Sequence, residues 1–365
     1  MMVVMIIELI LGAVIVIDVF VLLKLIRAFR MLTFPRLSDA VGDDLPTVTV
    51  CIAARNETHA MTQCLERVVS SDYPKLEVIV LDDGSRDDTS ILIKSFAHSG
   101  VRFIEGKELP QDWLGKNYAQ SMLAQQASGK LVFFMDVDTL IRAHTITQAV
   151  TYMLMKDAKM ISIIPMRDDE WHASLLFATM RHFWTVFHFS PTSPRAVANA
   201  WMIDRMTLLE RFDNDASLPA SMQVETTIAK YLSEQRQFRL LVSNAQLGLR
   251  YEKRWSSQVE TSIRLLYPQR DNSLAKVFFA CSMLVFVLLP YVLVFFSVWA
   301  FIPIVLQFGI ALFYLSHMWA RFQLVGALFA PYTIIQELML IITSTYKYRF
   351  GTITWKGRPV TKSSR

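Results

Sequence analysis

A chain of 365 residues is long enough for one large domain or two smaller ones, so an adequate core is within its reach. Hydrophobic residues make up 53% of it and the mean hydropathy is +0.33, above the apolar share of ordinary soluble domains, so part of the chain is expected in lipid. The formal net charge of +5 gathers on the flanks of the apolar runs and in a tail bearing Lys347, Arg349, Lys356, Arg358, Lys362 and Arg365, which suits anionic lipid headgroups and disfavours nucleic acid as a partner.

The first element is apolar from Met2 to Leu23, interrupted only by Glu8 and Asp18. That covers the roughly 20 helical residues a bilayer requires. Lys24, Arg27, Arg30 and Arg36 follow it, whereas a cleavable signal would carry its basic residues in front and a small-residue cleavage site behind. We therefore expect residues 1–24 to be a membrane anchor with its N-terminus outside, residues 25–45 to be a basic linker, and the next segment to be cytoplasmic.

Residues 46–250 change to short apolar strands alternating with amphipathic helices. VTVCIAA reads as a strand, Glu57 to Ser70 as a helix, LEVIVLDD as a strand and Thr89 to Ser99 as a helix. VRFIE, a helix from Asn117 to Ala127, and LVFFMDVD continue the rhythm, which predicts a mostly parallel sheet flanked by helices. Ligands of such sheets bind beyond the carboxyl ends of the strands, where ARNE, DDGS and DVD all fall. Cys51 and Cys64 in this region, and Cys281 beyond it, lack metal-ligand spacing and are expected as buried thiols.

The aromatic stretch from Glu170 to Ser190, with Trp171, Phe177, Phe183, Trp184, Phe187 and Phe189, reads either as core or as an interfacial helix where a lipid enters. Residues 251–275 are expected to be an interfacial connector that includes Trp255, and residues 276–318 a transmembrane hairpin turning near Ser297 to Trp299. Leu324 to Thr343 is apolar but broken by Pro331 and carries Gln336 and Glu337. A third span there would export the basic tail, so residues 319–365 are read as an interfacial or re-entrant segment with that tail.

Four clusters carry possible chemistry. In Asp136-Val-Asp138-Thr139 the two carboxylates would face opposite sides of a regular strand, so joint use requires the chain to turn as it leaves the sheet. They would then suit Mg²⁺ or Mn²⁺ bridging a diphosphate, although a lone DxD is as readily a solvated turn. In LDDGSRDDT, Asp87 or Asp88 is accounted for as a helix cap, while pairing Asp82 with Asp83 is costly unless something binds there. Arg55 and Glu57 of AARNE, and Lys116 of WLGKNYA, offer charges to a phosphate or to surface ion pairs.

Taken in order, ARNE, DDGSRDDT, WLGKNYA and ASGKLVFFMDVDT resemble the nucleotide-sugar-binding half of the inverting family 2 glycosyltransferases of GT-A fold, over roughly Val48 to Leu140. The closing ITWKGR (Ile353 to Arg358), the N-terminal anchor and the C-terminal apolar region resemble the membrane-bound branch containing 4,4'-diaponeurosporenoate and hopanoid-associated glycosyltransferases. The resemblance implies an α/β GT-A domain on the cytoplasmic face of the cell membrane, with transmembrane helices at both ends.

Carried over residue by residue, it assigns Ala54, Arg55 and Glu57 to the donor nucleotide, Asp83 to its uracil or ribose end, and Lys116 to the donor site, with Asp82 expected to bind the donor through its pairing with Asp83. Asp136 and Asp138 become the diphosphate and metal carboxylates, with Mg²⁺ or Mn²⁺ as cofactor. Glu225 of VETTIAKYL falls at the catalytic base, with Val224 where relatives carry an acid; a first-turn carboxylate favoured by the helix dipole is the alternative. Tyr251, Arg254 and Trp255 stand at the spacing of a Gln-x-x-Arg-Trp motif, and the missing Gln argues against a polysaccharide synthase. Arg254 reads either as a diphosphate contact of the donor or as an interfacial arginine, and Trp184 and Trp255 are assigned to the acceptor or interface. Asn199-Ala200 replaces the usual Asn-Gly. The implied reaction is inverting transfer from a nucleotide-diphosphate sugar such as UDP-glucose to a carotenoid acid or isoprenoid lipid. Transfer to a polyprenyl phosphate, or a non-catalytic sugar-nucleotide scaffold, are the alternatives.

Overall fold

The computed structural model describes residues 2–33, 44–168, 180–190, 192–252, 255–355 and 358–359. It divides into two compact units: one comprises Leu32–Arg167 with Phe189–Glu252, and the other Met1–Met31, Asp168–His188 and Lys253–Arg365.

The first unit is built on strands β1 (Val48–Ala54), β2 (Leu76–Asp82), β3 (Val101–Glu105) and β4 (Leu131–Met135). β1 pairs in parallel with β2 and β4, and β2 with β3. Two further strands, Met160–Ile164 and Phe238–Val242, pair in parallel with each other, and Ala200–Asp204 runs antiparallel to β4 and to Met160–Ile164. The resulting seven-stranded sheet is mostly parallel, as its rhythm predicts. β1 and β4 are apolar runs buried along almost their whole length, as strands covered on both faces must be, whereas edge strand β3 exposes Arg102 and Glu105. Helix Thr58–Val69 presents Met61, Cys64, Leu65 and Val68 to the core, one apolar stripe at helical spacing.

Boundaries differ where side-chain chemistry intervenes. LVFFMDVD is a strand only to Met135, because Thr139 N–H bonds back to the Asp136 carbonyl at 3.0 Å and closes a turn. The helix from Thr89 stops at Ser95 and gives way to a 3₁₀ turn at Ala97–Ser99 closed by left-handed Gly100.

Among the described residues of the second unit, three helices are long and apolar enough to cross a membrane: Met2–Leu32, Leu274–Leu293 and Val298–Met318. The first continues through Lys24, Arg27 and Arg30, so the start of the expected linker is helical. Asp18, Gln307 and Val287 join all three: the Gln307 amide donates to the Asp18 carboxylate at 3.1 Å and to the Val287 carbonyl at 3.0 Å. Pro331 breaks the next apolar run by starting a helix, Ala330–Phe350, after the short helix Gln323–Leu328, which fits proline's tolerance for a first turn.

Candidate active site

Because β1 to β4 are parallel, their carboxyl ends share one edge of the sheet. The order β3-β2-β1-β4 reverses direction between β1 and β4, the crevice where such sheets bind ligands. The antiparallel strand Ala200–Asp204 contributes its amino end to the same edge, with Ala200 opposite Met135.

The loops after β1 and β2 are clasped together. Asn56, in the left-handed region at φ 54, donates its N–H to Ser85 Oγ at 3.0 Å and accepts from Arg86 N–H at 2.9 Å. The Glu57 amide donates to Thr89 Oγ1 at 2.8 Å and the Thr58 amide to Asp87 at 3.3 Å. Gly84, at φ 69, makes the tight turn. Arg55 donates to the Asp83 carbonyl and lies 4.0 Å from its carboxylate, both residues being nearly buried. The Asp83 amide donates in turn to the Ala54 carbonyl at 2.8 Å. Asp82 turns out to organise this loop: its carboxylate accepts from the Ser85 amide at 3.0 Å and from the hydroxyls of Ser85 and Ser90. Burial acts to raise the Asp87 carboxyl, but hydrogen bonds from Thr58 and Thr89 outweigh it and hold the pKa at about 2.

After β4, Asp136 and Asp138 sit on the turn closed by Thr139, both half-buried. Lys116 donates to Asp136 Oδ1 at 2.8 Å, and Asn199 Nδ2 is 3.4 Å from Oδ2. The Asn199 carbonyl accepts from the Asp136 amide at 3.0 Å and from Thr139 Oγ1 at 3.1 Å. Asn199 is thus built into the turn, a role its sequence position signalled only by resemblance. Cys64 reports on the surroundings. Burial first, then the negative charges of Asp138, Glu57 and Asp136, push its thiol up to about 12, so these three carboxylates lie within electrostatic reach of one buried sulfur.

Glu225, 7% exposed, stands in the first turn of the helix Val224–Glu234. Its neighbour Thr226 reaches the Ala196 amide and carbonyl at 3.3 Å each, on the strand-entry segment that carries Asn199. The loop ahead of the helix is held by Asn117, beside Lys116, whose amide lies within 3.0 Å of the Leu218, Pro219 and Ser221 carbonyls. The segments that carry Glu225, Lys116 and Asp136 are therefore tied together by hydrogen bonds of their neighbours Thr226, Asn117 and Asn199.

The remaining expected residues belong to the second unit or lie outside the described structure. Trp184, in the helix Arg181–Phe187, donates its indole N–H to buried Glu337 at 2.8 Å, with the Arg270 guanidinium 5.4 Å from its ring. Trp255 is exposed and donates to Gln336 at 3.3 Å. Arg254, Trp171 and Phe177 lie outside the described residues, as do Lys356 and Gly357 of ITWKGR.

The carboxylates fit a hard divalent cation in a limited way. Among the described residues no group of three or more His, Cys, Asp or Glu side chains could enclose one. Asp136 and Asp138 supply two oxygen-bearing side chains on one turn, so a cation there would complete its shell from phosphate and water, the usual habit of Mg²⁺.

The fold is that of an α/β protein whose polar loops gather at the topological switch point of a mostly parallel sheet, and comparison with known proteins makes the class specific. The profile described as "Glycosyl transferase family 2" matches residues 49–208. An N-acetylglucosaminyltransferase of Bradyrhizobium sp. (strain ANU 289) is 37% identical over 109 residues, 28% of this chain and 69% of that protein. One of Bradyrhizobium elkanii is 35% identical over 122 residues, covering 32% and 64%. A 4,4'-diaponeurosporenoate glycosyltransferase of Staphylococcus aureus is 27% identical over 120 residues, 32% of this chain and 31% of that one. The chain belongs to glycosyl transferase family 2. Its matches span 23% to 64% of the length of several of these curated relatives. The solved mannosyltransferase PcManGT of Pyrobaculum calidifontis, in complex with GDP-Man and Mn²⁺, shares the fold at TM-score 0.56 and 18% identity, over 94% of this chain and 99% of that one.

Proposed function

We propose that this chain transfers a sugar, with inversion, from a nucleotide-diphosphate donor such as UDP-glucose to a lipid acceptor, a carotenoid acid or related isoprenoid, at the cytoplasmic face of the cell membrane. The observation that carries the reading is the turn after β4. It presents Asp136 and Asp138 together at the switch point, with Lys116 at 2.8 Å and Asn199 at 3.4 Å from Asp136. Residues 46–250 form the catalytic domain in this reading, and the apolar helices before and after it form the membrane part. The three apolar helices support a multi-pass anchor, and an odd number of spans puts the basic tail on the side of the catalytic domain.

Ala54, Arg55, Glu57 and Asp83 hold the nucleoside end of the donor, and the Asp82 carboxylate keeps their loop in shape. Lys116 meets the diphosphate, and Arg254 is assigned to it by the family resemblance alone. Asp138, with Asp136, would hold Mg²⁺ or Mn²⁺, which supplies charge neutralisation to the departing diphosphate. Glu225 accepts the proton as the acceptor oxygen bonds to the anomeric carbon; the bond from that carbon to the diphosphate oxygen breaks, and its electron pair leaves with the nucleotide. A carboxylic acid acceptor arrives already ionised near neutral pH, so a base matters less for it than the Asp136 and Asp138 pair, whereas a hydroxyl acceptor needs Glu225. Trp184 and Trp255 are the acceptor-side or interfacial aromatics. The similarity to the Staphylococcus aureus protein supports the carotenoid-acid acceptor.

The test is Asp138→Asn. Membranes carrying the wild-type chain should convert labelled UDP-glucose or UDP-N-acetylglucosamine into a labelled lipid identifiable by mass, with Mg²⁺ or Mn²⁺ present. The variant should yield no labelled lipid and release no UDP. Retained turnover by purified Asp138→Asn removes the metal role, and a polyprenyl-phosphate product removes the carotenoid-acid acceptor.

A further inference from the structure

We infer that Asn117 is a positioning residue, tying the loop 218–221 to the Lys116 turn so that Glu225 and the Asp136 carboxylate are held as one piece. The inference rests on the reading of Glu225 as the base.

Asn117 is 4% exposed and its side chain has two N–H groups. They face three backbone carbonyls, at 2.9 Å to Leu218, 3.0 Å to Pro219 and 2.8 Å to Ser221, so one hydrogen is shared. The Leu114 amide adds a fourth tie, 2.9 Å to the Pro219 carbonyl. With both hydrogens committed to the protein's own backbone, the amide has no donor left for a ligand, and its position beside Lys116 serves another purpose. The tethered loop runs directly into the helix that begins at Val224, and Glu225 is in that helix's first turn.

The opposite flank of the same turn is held through Thr226 and Ala196. Three residues further on, Asn199 meets Asp136, and the Ala198 carbonyl lies 3.5 Å from Lys116 Nζ. The first turn carrying Glu225 is therefore pinned from both sides to one ion pair. The five residues between Leu218 and Val224 would otherwise let that turn drift. Displacement of a reacting group by an ångström costs about a hundredfold in rate.

The test uses the full-length protein in detergent with Asn117→Asp, which keeps the side-chain shape but presents an oxygen in place of the N–H groups. With Mn²⁺ and extracted lipid, kcat for UDP-glucose should fall about 30- to 100-fold while the Kd for UDP stays within about threefold of wild type. Amide hydrogen exchange should accelerate across 218–226 and remain unchanged across 131–135. Thr226→Val should give the same signature to a smaller degree and carries the test if Asn117→Asp does not fold. Loss of UDP affinity in parallel with kcat, unchanged kcat, or unchanged exchange at 218–226 would overturn the inference. If wild type turns over none of UDP-glucose, UDP-N-acetylglucosamine and GDP-mannose, it is the glycosyl-transfer reading that fails, and the exchange measurement alone decides the tether.

Discussion

Gly106→Ala isolates the proposed donor loop from general stability. Gly106 directly follows β3 and donates its N–H to the Asp82 carbonyl at 2.9 Å. An added Cβ would lie 2.7 Å from that same oxygen and 3.1 Å from the Asp83 Cα. Both are backbone atoms, so no side chain can swing aside. Carbon and carbonyl oxygen tolerate about 3.3 Å, so the end of β2 must move by roughly 0.6 Å. Overpacking of this kind costs about 1–3 kcal/mol, which for a domain of this size lowers Tm by roughly 2–12 °C. The displacement falls on Asp82, Asp83 and the Arg55 contact. Gly129→Ala is the matched control: its Cβ would lie 2.6 Å from the Thr49 amide nitrogen, at the amino ends of β1 and β4. Thermal denaturation in detergent should show similar losses for both variants. UDP binding by calorimetry with Mn²⁺ should weaken about tenfold in Gly106→Ala alone, equivalent to about 1.4 kcal/mol. Equal loss of UDP binding in the two variants, or a wild-type Tm for Gly106→Ala, refutes the reasoning.

Three other outcomes follow from the geometry. Lys116→Met removes a cation competing for Asp136, so Mn²⁺ binding to the nucleotide-free protein, read by electron paramagnetic resonance, should tighten severalfold while UDP binding weakens; weaker Mn²⁺ binding contradicts the pairing. Asp87 is held down to about 2 from an ordinary 3.8, so its contribution to stability is present above about pH 4 and lost as pH falls toward 2. The Tm gap between wild type and Asp87→Ala should close over that window, and a gap independent of pH counts against it. Gln307→Leu strands the Asp18 carboxylate among the apolar helices, whereas Asp18→Leu with Gln307→Leu removes both partners. Detergent melts should place the single variant about 1 kcal/mol below the double, and the reverse order would show that the contact holds nothing.

Much of the half proposed to bind the donor could be read from residue order. Apolar runs without alternation mark β1 and β4 as interior strands, and the stripe Met61, Cys64, Leu65, Val68 marks the helix between β1 and β2, because burial imposes these periodicities locally. The requirement that Asp136 and Asp138 sit on a turn follows from strand geometry, and the Thr139 to Asp136 hydrogen bond supplies it. Asp82 was harder to interpret, since the hydroxyl of Ser90, eight residues on, is what makes its carboxylate part of the loop.

What sequence alone determined is whatever depends on neighbours along the chain: the alternation of strands and helices, the lengths of the apolar spans, and the acidic pairs at strand ends. Tertiary structure decided which of these meet. Asn199 reaches Asp136 because an antiparallel strand brings its amino end to the carboxyl edge of β4. Asn117 reaches Leu218, about a hundred residues away, because its helix, Gly115–Gln126, packs beside the helix Arg205–Asn214 that leads into Leu218. Asp18 and Gln307, separated by 289 positions, meet because a polar side chain within apolar helices is stabilised by finding another. Such contacts leave no periodic trace, since each depends on how separate elements are stacked and not on the spacing within any one of them.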